Sequence, residues 1–249
     1  MSPVTTTEHQ RTRTQAVGTS VLTISRTQVA RFLVGAVVLL HTLNIPAIIV
    51  RYLVDVPGST GYPAVFSVSN EGKLPTFYSG LTLLVAALLL AATAAHEHRS
   101  GGRFVRHWFG LSLIFVFMAA DEMLEIHELS MVPVRRAFGI TGGPLFFAWV
   151  IPAAVFLMLL AITYARFLIA LPRPSMRAFL IAGVVYVGGA LGMELVGSAY
   201  FTSHSNDVIY GVIATVEEMG EMAGMALFIL ALLDHLARIA PDWRVELRQ

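Results

Sequence analysis

Residues 77–95 read FYSGLTLLVAALLLAATAA, a run without one formal charge. Wound as a helix at 1.5 Å per residue, the run is about 28 Å long, close to the ~30 Å hydrocarbon core of a bilayer. It has no polar face to turn to water, so lipid is the solvent that suits it. Five further runs have comparable length, near Phe32–Leu53, His107–Glu128, Leu145–Phe167, Ala178–Tyr200 and Val208–Asp234. Pro75 and Pro144 stand where two of them begin, and a helix start tolerates a missing N–H. Pro133, Pro172 and Pro174 follow the ends of two others.

The whole chain agrees. Of its 249 residues 56% are hydrophobic and 13% charged, with mean hydropathy +0.70. A soluble domain carries about 25% charged residues. The reading is an all-α integral membrane protein, a six-helix transmembrane bundle over residues 29–238. Residues 1–28 read as a disordered polar tail and 239–249 as a short second tail. The loop at 54–76, with Gly58, Gly61, Pro63 and Ser69-Asn70-Glu71-Gly72-Lys73, is long enough for a lid or a plain connector.

With the N-terminus inside, thirteen of the seventeen basic residues fall on inner segments. Only Arg51, Lys73, Arg135 and Arg136 fall outside. The positive-inside rule therefore predicts both termini cytoplasmic in a plasma membrane. A net charge of +1 offers no field to draw nucleic acid. No cysteine is present, which removes disulfides, thiolate metal sites and a cysteine nucleophile.

Against this background the acids stand out. Asp121, Glu122, Glu125, Glu128, Glu194, Glu217, Glu218 and Glu221 fall inside the predicted spans, with no Lys or Arg beside them. Each unpaired carboxylate near mid-membrane costs about 2.5–3.5 kcal/mol on insertion scales. Protons, a metal ion, an organic cation or cavity water must neutralise them. Asp121, Glu194 and Glu218 each lie roughly 21–24 Å from the inner boundary by helix rise, in the outer half of the bilayer. At about 100° per residue, Asp121, Glu125 and Glu128 share a stripe some 60° wide, and Glu217, Glu218 and Glu221 an arc of about 100°. Both faces should turn into the bundle.

Histidines are weaker signals. His41 shares a face with Asn44 on the first span and is a candidate ligand. His127 should point about 100° away from Glu128, as a rim contact. Gly188, Gly189, Gly192, Gly197, Gly220 and Gly224 predict close packing of the fifth and sixth spans. The second and fourth spans hold no ionisable residue in their interiors and should face lipid.

The string Asp121-Glu122-Met123-Leu124-Glu125-Ile126-His127-Glu128, with the later Glu217-Glu218-Met219-Gly220-Glu221, resembles motifs of uncharacterised bacterial multi-pass membrane proteins. That resemblance implies no activity. The residues themselves point to a divalent-metal site (Fe, Mn, Zn, Mg or Ca). Its ligands would come from Glu122, Glu125, Glu194, Glu217, Glu218, Glu221 and His41. Asp121 or Glu128 would then serve as general base towards a lipid-like or small cationic substrate. Proton- or cation-coupled transport is one alternative. A structural role, with protonated acids as interhelical hydrogen bonds, is the other.

Overall fold

The computed structural model describes residues 20–21, 25–54, 60–67, 73–240 and 246–247. The expected tails lie largely outside these residues, as does Ser69-Asn70-Glu71-Gly72 of the long loop. Six helices among the described residues are long and apolar enough to cross a membrane.

The first span is α1 (Arg26–Tyr52), which runs on through Pro46. Ser25 and Gln28 cap it reciprocally, each side chain accepting the other's backbone N–H, so two orphan donors are satisfied. A turn of helix, α2 (Pro63–Phe66), precedes the second span, α3 (Leu74–Arg99). The third span is α4 (Val105–Leu124). A 3₁₀ turn over His127–Ser130 and the short α5 (Met131–Phe138) follow it. The fourth span, α6 (Val150–Ala170), begins five residues later than Leu145, because Pro144–Trp149 form irregular turns. The fifth joins α7 (Arg173–Val187) to α8 (Glu194–His204) through a π-helical segment, Gly188–Met193. The sixth is α9 (Val208–Ile239). Ser20–Val21 (β1) pairs antiparallel with Glu246–Leu247 (β2).

The third span stops at Leu124 rather than Glu128. Glu125 takes left-handed backbone angles (φ 55°, ψ 37°) and donates its N–H to the Asp121 carbonyl, which ends the helix. The shared stripe expected of Asp121, Glu125 and Glu128 therefore does not exist as a helical face.

Arg26 pairs with Asp234 at 2.6 Å, and the Tyr52 hydroxyl donates to Asn206 Oδ1 at 2.7 Å. These two contacts fasten opposite ends of α1 to opposite ends of α9, so the helices run antiparallel. Arg26 and Asp234 mark the proximal end of the bundle, and Tyr52 and Asn206 the distal end. The core lies between α3, α4 and α9, around Leu83, Ala86, Leu90, Trp108, Ile229 and Leu232. The Ser112 hydroxyl crosses from α4 to the Ala87 carbonyl of α3 at 2.9 Å. The second span is thus central rather than lipid-facing. Its Ala86, Ala87 and Ala94 permit close approach, a role that needs no ionisable group.

The fourth span behaves differently. Most of α6 is exposed, including Met158, Leu159 and Ile162. It is held at its ends. Proximally the Tyr164 hydroxyl donates to the His107 carbonyl at 3.2 Å, and Phe167 packs edge-on to Trp108. Distally the N–H of Phe147 donates to Ser198 Oγ at 3.0 Å. Between these points it stands away from α4, α7 and α9.

Candidate functional site

Glycine brings the acidic helices together. A Cβ built on Gly189 of the π segment would lie 2.8 Å from both the Glu217 carbonyl oxygen and the Glu221 nitrogen. One on Gly220 would lie 2.9 Å from Gly189 Cα, and one on Gly224 2.6 Å from the Tyr186 nitrogen. Only hydrogen fits at these three positions, so the backbones of the fifth and sixth spans touch. Gly188 and Gly192 take no part, since a Cβ on either meets nothing within 4 Å. The π segment adds a residue to one turn beside this contact, and Glu194 is the first residue beyond it. Glu194 and Glu217 lie side by side across this contact. Glu221 and Tyr186 lie close together.

The break at Glu125 builds the other wall. The chain doubles back, and Asp121 accepts the backbone N–H of His127 on Oδ1 at 2.7 Å. Its Oδ2 lies 3.1 Å from His127 Nδ1. A carboxylate accepting from Nδ1 leaves the neutral ring's lone pair on Nε2, the form a general base requires. The His127 ring rests against Trp149, centroids 4.7 Å apart, and the indole N–H donates to Glu194 Oε1 at 2.6 Å. A chain of contacts therefore runs Asp121–His127–Trp149–Glu194–Glu217 across four spans or their flanking turns.

These groups line one cavity of about 1170 Å³. All eight intramembrane acids border it, with Asp121 and Glu122 from α4, Glu125 and Glu128 from the turns beyond, Glu194 from α8, and Glu217, Glu218 and Glu221 from α9. Its other limb runs beneath α6 to Trp108, Phe167 and Phe179. Pro152, Phe156, Leu157, Leu160 and Ala161 form one side of that limb, and Phe115, Ala182, Gly183 and Phe228 the other. From Trp149 to Phe167 the slot follows α6 for roughly 27 Å. Among the described residues no Lys or Arg lines the cavity, and those lining it below the acids include no ionisable group more acidic or basic than tyrosine.

His41 does not border this cavity. It is buried on α1, with Nδ1 2.9 Å from the Val37 carbonyl, while nearby Asn44 donates to Thr215 of α9 at 2.9 Å. A donor to its own helix is what an isolated intramembrane imidazole needs, and proximity in sequence to Asn44 gave no sign of the difference. Among the described residues, no group of three or more His, Asp or Glu is arranged to hold a metal ion. The metal expected at Glu122, Glu125, Glu194, Glu217, Glu218, Glu221 and His41 thus gains no support. Sequence reasoning missed Trp149, Tyr186 and Tyr210 as cavity residues, and it set His127 at the rim. An aromatic residue carries no penalty in lipid, so only an acid placed opposite it singles it out.

No curated protein and no solved structure matches the chain. A family model described as a domain of unknown function (DUF8692) matches residues 30–236, which takes in all eight acids and all six spans nearly whole. The chain belongs to that family.

Proposed function

We propose that this protein binds a lipid-like amphiphile within the membrane, polar head among the acids and hydrocarbon chain in the slot beneath α6. One observation carries the reading: a single cavity joins a carboxylate-lined end to an apolar limb nearly as long as the hydrocarbon core is deep. A site for a small ion has no use for the apolar limb. A path for protons or metal ions would need polar groups beyond the acids, and the lining there is hydrocarbon and aromatic. Asp121 and His127 form a hydrogen-bonded pair at the head end, an arrangement suited to acid–base chemistry on the bound molecule. The distribution of basic residues supports a plasma-membrane location with both ends cytoplasmic, which sets the acids in the outer half.

Native mass spectrometry of protein released from lipid nanodiscs tests this. Wild type should retain an amphiphile that Gly183→Leu, which fills the slot, does not. Equal lipid retention by the two proteins would refute it.

A further inference from the structure

The cavity's charge selects among amphiphiles. We infer that the occupant is a long-chain amine or quaternary ammonium compound, its cationic head held between the carboxylates and an aromatic wall. This rests on the reading that the cavity binds an amphiphile, and adds the chemistry of the head.

Three observations converge. First, the described residues at the head end include eight acids and not one Lys or Arg. A phosphate or carboxylate head would enter a field of its own sign, whereas a cation relieves the acids' mutual repulsion. Second, the walls at this level are aromatic. Trp149, Tyr186 and Tyr210 all border the cavity beside Glu217 and Glu221. Indole and phenol faces attract ammonium groups, above all quaternary ones that carry no N–H to hydrogen-bond. The edge of the Trp149 ring is already engaged by Glu194, which fixes that side chain in place, and Tyr186 lies close to Glu221. Third, the described residues lining the apolar limb from the acidic end to Phe167 carry no charge. A small inorganic cation would leave that limb unused. A long-chain cation fills both parts, with its charge and its chain in the order the lining presents them.

The test uses full-length protein in zwitterionic nanodiscs and three radiolabelled probes of equal chain length, dodecyltrimethylammonium, dodecanol and laurate. Binding is counted as the difference between wild type and Gly183→Leu, which subtracts partition into the bilayer. The ammonium probe should bind at least about tenfold more tightly than either of the others. That preference should shrink in Glu217→Gln/Glu221→Gln while dodecanol binding persists. If dodecanol or laurate equals the ammonium probe in slot-dependent binding, the cationic assignment is overturned and the amphiphile site stands. If no probe shows slot-dependent binding, both are overturned. The wild-type comparison decides the matter even where the double variant does not fold.

Discussion

The indole N–H of Trp149 meets Glu194 Oε1 at 2.6 Å, joining the turns before the fourth span to the middle of the fifth. This contact anchors the distal end of α6, a helix otherwise poorly buried, and it gives one intramembrane carboxylate a neutral donor. Trp149→Phe keeps the ring that packs on His127 and removes only the N–H. It should destabilise the protein by about 1–3 kcal/mol, the cost of leaving such a group without its donor. Thermal unfolding in detergent checks this, with Trp149→Tyr as a partial rescue where its hydroxyl reaches Glu194.

Gly183 lines the slot, and a Cβ built there meets nothing within 4 Å. Gly183→Leu should therefore be accepted without a clash. It should stabilise the helix by about 0.8–1.0 kcal/mol through propensity. The same variant should lose retained amphiphile. A melting temperature that rises while ligand falls separates binding from folding.

The opposite result is expected where the fifth and sixth spans touch. Gly220→Ala would drive a methyl group to 2.9 Å from Gly189 Cα and 3.3 Å from the Gly189 nitrogen, both backbone atoms. The helices must move apart, at a cost of about 1–3 kcal/mol. The movement would also part Glu194 from Glu217. Unfolding measurements should place Gly220→Ala and Gly224→Ala well below Gly192→Ala, which has open space.

Glu125 holds left-handed angles, a conformation that costs an L-residue roughly 1–2 kcal/mol. Glu125→Gly should relieve part of that strain and keep the turn that returns His127 to Asp121. Glu125→Val should break the turn. If Glu125 is held there for its carboxylate, the glycine variant will be as stable as wild type or more so, yet bind the ammonium probe more weakly.

Outside the spans, Asp207 caps α9. Its carboxylate accepts from the Ile209 and Tyr210 N–H groups and from the Tyr200 hydroxyl at 2.8 Å. The Tyr210 N–H foremost, with the Tyr200 hydroxyl and Ile209 N–H, holds the Asp207 carboxyl below its ordinary value of 3.8. A depressed folded-state value contributes stability that is fully present above the ordinary one and lost as pH falls through the folded one. Protection of the Ile209 and Tyr210 amides in hydrogen exchange should therefore drop with acid in wild type. Asp207→Asn, which caps without titrating, should flatten that dependence.

Six apolar runs with matching punctuation were enough to read the bundle from the sequence, because lipid leaves helices few alternatives. The glycines that join the fifth and sixth spans were legible for a similar reason, since small residues in lipid mark contact. The helix break was not. Nothing in Leu124-Glu125-Ile126 breaks a helix by propensity, and Glu125 turns left-handed where Asp121 captures the His127 N–H. Angles taken from an unbroken helix consequently set His127 at the rim. The π segment was hidden too, as Gly188–Met193 reads as ordinary helix until its neighbour's backbone is in view. The apolar slot was beyond reach altogether. A residue that lines a cavity and one that faces lipid have the same hydropathy, and α6 contains both.

A cryo-electron microscopy map of the protein in lipid nanodiscs examines the joined cavity most directly. Elongated density running along α6 from Gly183 to the carboxylates of Glu217 and Glu221 is the predicted result. Side chains of α6 closed onto α7, or a compact ion density among the acids with nothing in the slot, would contradict it.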